Sequence, residues 1–115
     1  MTTKSIEAVN KYFEAIKNSD LTRAPLASDV TFEDPLTPGL SGKQSVIDFI
    51  SGFLPAIKGI EVKLRIAEGD SVAVMWDADT AFGILPVFEY FRVIDGEIKQ
   101  IKAYLDPRPI IDGTS

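Results

Sequence analysis

Histidine and cysteine are both absent from this chain of 115 residues. Histidine is the commonest general base near neutral pH and the commonest metal ligand, while cysteine supplies thiolate nucleophiles, thiolate metal sites and disulfides. Their absence excludes a histidine-dependent triad, ordinary zinc hydrolysis and any disulfide framework. Acid–base chemistry must therefore fall to carboxylates, tyrosine or lysine.

Positive charge is also scarce, because 12 lysines and arginines stand against 17 aspartates and glutamates, for a net charge of −5. The chain as a whole repels phosphate backbones and anionic lipid surfaces, so we expect neither nucleic acid nor a membrane as a partner. No stretch approaches the length of an apolar membrane span, and the first residues lack the apolar core of a signal peptide. We therefore expect a cytoplasmic protein.

Hydrophobic residues make up 45% of the sequence and charged residues 25%, which is ordinary usage for a globular protein. A chain of this length can bury a sufficient core without disulfides or metals. Because no internal repeat or low-complexity segment divides it, we expect a single domain over residues 1–115.

The first half of the chain has the periodicity of helices. Apolar residues recur at helical spacing after Ser5, which we expect to cap the first helix, and a short helical turn is expected over residues 21–26. Ser41 and Gln44 form the pattern of a capping box before a further helix. These segments predict three N-terminal helices, with a short strand over residues 30–34 before the third.

From residue 60 onward the period changes to two. Alternating apolar residues predict four strands, over residues 60–66, 72–78, 84–94 and 98–105. Asp95 and Gly96 form a strong hairpin signal, and Pro86 marks an edge position or a bulge. Residues 106–109 are expected to form an extended tail. The order of elements predicts an α+β fold with helices packed on one face of a curved sheet.

Two carboxylates run into a proline at residues 32–35, where the first predicted strand ends. Proline biases the residue before it toward extended backbone, which holds Asp34 at a strand or loop edge. An aspartate in this position can also simply cap a turn, so the segment by itself leaves a structural and a catalytic role open.

Strand parity places Glu89 on one face with Leu85, Val87 and Phe91. A carboxylate on an apolar face is rarely buried without a reason, which favours a role for Glu89 in a cavity. A bulge at Pro86 would reverse this parity and put Glu89 in solvent.

The element order, with Glu33-Asp34-Pro35 after the first helices and Ala103-Tyr104 near the end, resembles the NTF2-like (cystatin-like) cone fold over nearly the whole chain. Within that fold the likeness is to the SnoaL-like and ketosteroid isomerase group. The resemblance implies three N-terminal helices packed on a strongly curved antiparallel sheet. It also implies a homodimer, since sheet-to-sheet pairing is common in families of this fold.

Ketosteroid isomerases use an aspartate base, a tyrosine and a protonated second acid. The resemblance places the base at Asp34 and the tyrosine at Tyr12, eight residues before Asp20. It places the second acid at Glu89, three residues before Arg92, where the family has aspartate. The expected substrate-binding residues are Phe32, Val74, Trp76, Val87, Phe91, Ala103 and Leu105. For Val74 and Trp76, ordinary core packing is an equally good account.

The resemblance thus implies a steroid delta-isomerase-like enzyme for a small apolar ketone, with no cofactor and no metal. Asp34 would move a proton through an enolate whose oxygen is held by Tyr12 and a neutral Glu89. One alternative is a non-catalytic SnoaL-like protein that binds a small apolar molecule. Another is an epoxide hydrolase or polyketide cyclase of the same fold. Epoxide hydrolases of this fold use an Asp-Arg-Asp set, whereas Arg92 falls off the Glu89 face by parity.

Overall fold

The computed structural model of the protein describes residues 2–113, in which helices alternate with strands and two short 3₁₀ turns. The helices are α1 (Thr2–Lys17), α2 (Lys43–Ser51) and α3 (Arg108–Gly113), with 3₁₀ turns at Leu21–Arg23 and Leu54–Ala56. The strands are β1 (Leu26–Asp34), β2 (Thr37–Ser41), β3 (Ile57–Glu68), β4 (Ser71–Thr80), β5 (Gly83–Ile94) and β6 (Glu97–Tyr104). Over the same residues, no helix has the length and apolarity needed to cross a membrane.

The six strands form one sheet in the order β2-β1-β6-β5-β4-β3. Neighbouring strands are antiparallel except β1 and β6, which run parallel, so the sheet is mixed and not wholly antiparallel as expected. A parallel pair needs a long crossover connection, which β2, α2 and the strands β3 to β5 supply together. Periodicity within β6 does not reveal this pairing, because the partner strand lies far away in sequence.

Bulges bend the sheet. The register of β3 with β4 shifts between Ile57 and Gly59 and again between Val62 and Leu64. An extra residue on one strand kinks that strand and increases its local twist. The result is the predicted α+β class, in which helices cover the inner face of a curved sheet.

The core lies between this inner face and the first two helices. Helix α1 packs across β3 to β6, and α2 packs on β1 and β2. Val9, Phe13 and Ile16 lie on the buried side of α1, and Val46 and Ile50 on that of α2. Burial of these apolar side chains is what holds the helices on the sheet.

Both predicted helix caps are wrong. Helix α1 begins at Thr2, so Ser5 lies inside it, where the buried hydroxyl donates to the carbonyl of Gly69 at 2.9 Å. The N-cap residue of α2 is Gly42, with φ at 99°, and Gln44 donates from its side chain to Asp48 at 2.8 Å. Polar side chains at these positions bond to partners that a local capping pattern does not reveal.

The predicted extended tail is also wrong beyond Pro107, because α3 begins at Arg108. Asp106 accepts a hydrogen bond from the backbone N–H of Arg108 at 3.0 Å, which satisfies one of the free donors at the helix start. Pro109 falls in the first turn, where a proline costs no helical hydrogen bond. The helix returns Ile110 toward the sheet, and this residue lines the cavity described next.

Candidate functional site

A cavity of about 120 Å³ lies between the inner face of the sheet and the helices. Most of its wall is apolar or aromatic. The helices and their adjoining turns contribute Tyr12, Ile16, Phe49, Ile50, Phe53 and Ile110, and the strands contribute Phe32, Trp76, Ala78, Leu85, Val87 and Ala103. Pro35 and Leu36, both exposed, also belong to the lining and mark its rim.

Five of the seven expected substrate-binding residues line this cavity, namely Phe32, Trp76, Val87, Ala103 and Leu105. The other two, Val74 and Phe91, are fully buried in the core outside the lining. The rings of Tyr12 and Phe13 cover Phe91, with ring centroids 5.1 and 5.8 Å away. Strand parity predicts which residues lie on the inner face of the sheet. The position of the helices determines which part of that face lines the cavity.

Glu89 points into the cavity from the middle of β5. Pro86 pairs with Asp77 in a ladder that runs without a shift through the described pairs of β4 and β5. Since β6 pairs with β5 only from Phe88 onward, Pro86 occupies a locally open edge, where a strand proline is tolerated. The parity of β5 is therefore unbroken, and Glu89 is 2% exposed.

Two neutral donors hold the carboxyl group of Glu89. The indole Nε1 of Trp76 donates to Oε1 at 2.9 Å, and the hydroxyl of Tyr12 donates to Oε2 at 3.3 Å. Tyr12 comes from α1 and Trp76 from β4, so three separate elements fix the position of one carboxyl group. Both donors are themselves buried, which leaves little freedom for either side chain to move.

Burial dominates the titration of this group. Loss of solvation raises the pKa of Glu89 from 4.5 to about 7, the hydrogen bonds from Trp76 and Tyr12 oppose the change, and the charge of Asp34 adds to it. Burial, together with the nearby Glu89, raises the pKa of Tyr12 well above its usual value. Near neutral pH, Glu89 therefore exists in both forms while Tyr12 remains a neutral donor.

Trp76 also determines which oxygen of neutral Glu89 carries the proton. An indole N–H can only donate, and the carbonyl oxygen of a neutral carboxyl group is a better acceptor than its hydroxyl oxygen, so Oε1 is the carbonyl oxygen. The acid proton then belongs on Oε2, the oxygen beside the Tyr12 hydroxyl. Two O–H groups, one from each side chain, thus lie together at the cavity wall.

Asp34 ends β1 and lines the same cavity. Its Oδ1 accepts a hydrogen bond from the N–H of Leu36 at 2.9 Å, so Asp34 also caps the turn that follows. Partial burial raises its pKa, and hydrogen bonds from Leu36 and Thr37 oppose that effect. Asp34 therefore has the structural role of capping a turn, and it also lines the cavity, where the catalytic role would require it to be.

No lysine or arginine is found among the described residues that line the cavity. Arg92 is exposed on the opposite face of β5, as parity indicated. The side chain of Lys99 pairs with Asp29 at 2.9 Å and that of Lys102 with Glu33 at 3.2 Å, both at the surface. Within residues 2–113, no group of three or more acidic side chains has the arrangement of a metal site.

The role of Trp76 as a hydrogen-bond donor was missed by the sequence analysis, which placed this residue only in the cavity wall. The sequence does contain evidence for this hydrogen bond. A buried indole N–H needs an acceptor, and the hairpin of β4 and β5 brings the two strands side by side. The register pairs Trp76 with Val87, two residues from Glu89 on the same face. The aromatic wall from α2 and the turn after it, formed by Phe49 and Phe53, was also missed.

Solved structures share this fold. An NTF2-like protein of unknown function from Cytophaga hutchinsonii has a TM-score of 0.83 at 20% identity, over 93% of this chain and 94% of that one. A Jannaschia protein provisionally named a SnoaL-like polyketide cyclase has a TM-score of 0.81 at 15% identity, over 96% and 90%. A steroid delta-isomerase from Pseudomonas aeruginosa has a TM-score of 0.80 at 18% identity, over 95% and 87%.

These likenesses show that the chain has the NTF2-like fold that the sequence resemblance implied. The chain belongs to the family described as "Domain of unknown function (DUF4904)", whose model matches residues 1–115. No curated protein is significantly similar in sequence. Because this fold carries many unrelated activities, the fold alone does not determine the function.

Proposed function

We propose that the protein is a cofactor-independent isomerase that shifts the double bond of a small apolar ketone through an enolate. The observation that carries the proposal is Glu89, a carboxyl group buried at the wall of an apolar cavity and held between Tyr12 and Trp76. Asp34 lines the same cavity. A base and two neutral donors around one hollow are what enolate chemistry requires.

In this mechanism Asp34 removes a proton from the carbon next to the carbonyl group and returns it two carbons further along. Negative charge develops on the carbonyl oxygen, which accepts hydrogen bonds from the Oε2–H of Glu89 and from the Tyr12 hydroxyl, whose O–H turns from Oε2 toward the substrate. The roles require an ionised Asp34 and a neutral Glu89. Asp34 is only half-buried and keeps its turn hydrogen bonds, so it ionises more readily than the fully buried Glu89.

The size of the cavity limits the substrate. At about 120 Å³ it is comparable to engineered cavities of about 150 Å³ that bind benzene, and smaller than the roughly 300 Å³ of ordinary ligand pockets. A ketone with one six-membered ring can enter completely. The rest of any larger substrate, such as a steroid, would extend past the rim at Pro35 and Leu36. We therefore propose a single-ring β,γ-unsaturated ketone.

The test is a panel of cyclic β,γ-unsaturated ketones incubated with the purified protein, with the conjugated product followed by ultraviolet absorbance. Asp34→Asn should lower kcat by about 100- to 10,000-fold, the usual contribution of a general base. The matched control is Asp79→Asn, because Asp79 is exposed on the outer face of β4. Equal turnover by the wild type and Asp34→Asn would refute the mechanism. Binding without turnover would favour a pocket protein.

We also propose that the protein works in the cytoplasm. We further propose that it is a homodimer that pairs through the outer face of its sheet. One row of exposed apolar side chains crosses four strands at adjoining register positions: Leu64, Met75, Phe88 and Tyr104. Contiguous exposed apolar surface of this kind typically marks an interface. Phe88→Glu should convert the dimer to a monomer in sedimentation velocity. A wild type that stays monomeric at all concentrations would contradict the proposal.

A further inference from the structure

Among the described residues, the ionisable side chains that line the cavity are all acids and none is a base. Tyr12 belongs to α1, Asp34 to β1 and Glu89 to β5. Among the described residues, no lysine or arginine forms an ion pair with Glu89, whose two hydrogen-bond partners are neutral. A buried carboxylate without a countercharge is costly, and a cation inside the cavity would reduce that cost.

The carboxylate of Glu89 retains acceptor capacity for such a cation. Its two oxygens have about four lone-pair directions, and the bonds from Trp76 and Tyr12 occupy two of them. Because Glu89 is itself a lining residue, a ligand in the cavity lies beside this residue. A hydrogen bond between an ammonium group and a carboxylate is stronger than one between neutral groups.

The walls suit the apolar body of the same ligand. Phe32, Phe49 and Phe53 form a chain of rings, with neighbouring centroids 5.5 and 5.2 Å apart. All three line the cavity together with Trp76. Aromatic faces attract cations as well as apolar groups, so they favour an amine over an acid of the same shape. Asp34 adds negative charge on the same cavity, which favours the entry of a cation.

We propose that the cavity binds a small protonated amine with a single apolar ring, its ammonium group on Glu89 and its ring against the phenylalanine wall. This ligand class goes beyond the proposed isomerase activity, since it requires the ionised form of Glu89 and no proton transfer by Asp34. The two forms of Glu89 thereby select different ligands: the neutral form suits a ketone oxygen and the ionised form suits an ammonium group.

The test compares three probes that differ in charge and share a ring: cyclohexylmethylamine, cyclohexylmethanol and cyclohexanecarboxylate. Binding is measured by calorimetry and by the fluorescence of Trp76, the one tryptophan of the chain, which contacts Glu89 directly. At about pH 8, where Glu89 is ionised and an alkylamine is protonated, the amine should bind about tenfold or more tightly than the alcohol, and the carboxylate weakest.

The wild type should lose much of this preference at about pH 5, where Glu89 is neutral. The groups facing Glu89 are Tyr12 from α1, which stays neutral, Asp34 from β1, and the uncharged Trp76 and Ala103 from β4 and β6. Glu89→Gln should reduce the preference to the same low level at both pH values, set by Asp34 and the aromatic wall, while the exposed Glu97→Gln should keep the wild-type preference at about pH 8.

Three results would overturn the proposal: an alcohol that binds as tightly as the amine at about pH 8, a preference for the amine that is the same at about pH 5 as at about pH 8, or a preference that is undiminished in Glu89→Gln. The pH comparison in the wild type needs no variant, so it decides the matter even if Glu89→Gln fails to fold. None of these measurements requires turnover, so a failure here is distinct from a failure of the isomerase proposal, which the Asp34→Asn kinetics test.

Discussion

The buried carboxyl group of Glu89 should make the protein less stable as the pH rises. Burial raises its pKa from 4.5 to about 7, so between these values the unfolded chain has lost a proton that the folded protein keeps. The folded state then binds more protons than the unfolded state, and the free energy of unfolding falls with increasing pH. The stabilisation is complete below pH 4.5 and is lost above about pH 7.

The size of this effect follows from the pKa of the buried group. Each pH unit across the interval from 4.5 to about 7 corresponds to about 1.4 kcal/mol, which gives roughly 3 kcal/mol in total. Of this, about 2.5 kcal/mol falls between pH 5 and pH 8. Glu89 is fully buried, so solvent screening does not reduce the effect in the way it does for surface charges.

The variant Glu89→Gln should remove this dependence and keep the fold. Its amide oxygen can accept from Trp76, and its NH₂ group can donate to the hydroxyl oxygen of Tyr12, so each partner keeps one hydrogen bond with residue 89. The variant should therefore gain about 2.5 kcal/mol relative to the wild type between pH 5 and pH 8.

Urea denaturation at several pH values, followed by the fluorescence of Trp76, measures the difference between wild type and Glu89→Gln. Glu97→Gln is the control, because Glu97 is exposed at the start of β6. A difference between wild type and Glu89→Gln that stays constant within about 0.5 kcal/mol from pH 5 to pH 8 would refute the reasoning, given the usual extrapolation error.

Two further variants test the donors to Glu89. Trp76→Phe leaves Oε1 without its donor, so the pKa of Glu89 should rise beyond about 7 and the free energy of unfolding should fall by about 1–3 kcal/mol. Carboxyl-region NMR titration and urea denaturation followed by circular dichroism measure these changes, and an unchanged pKa would contradict the assignment. Tyr12→Phe removes one proposed donor to the enolate oxygen, so kcat should fall about 100-fold. Steady-state kinetics below pH 7 test this, and an unchanged kcat would exclude Tyr12 from the mechanism.

The candidate site could be predicted only in part from local patterns. Parity along β5 placed Glu89 on the face of Leu85 and Val87, and the structure has it there. The partner that holds Oε1 was not predicted, because the hydrogen bond from Trp76 depends on the register of two strands. The extent of the cavity was also not predictable, since Phe91 shares the face of Glu89 and yet lies beneath the rings of α1.

Composition and apolar periodicity were enough to predict the class of fold, the strands of the meander and the acid–base chemistry open to a chain without histidine. Apolar periodicity and composition are local properties, so they can be read without knowing what packs where. Three features depend on the folded chain as a whole: β1 runs parallel to β6, α3 brings Ile110 to the cavity, and Glu89 lies between Tyr12 and Trp76. These contacts join residues far apart in sequence, and their energies depend on burial that arises only when helices and sheet close on one another.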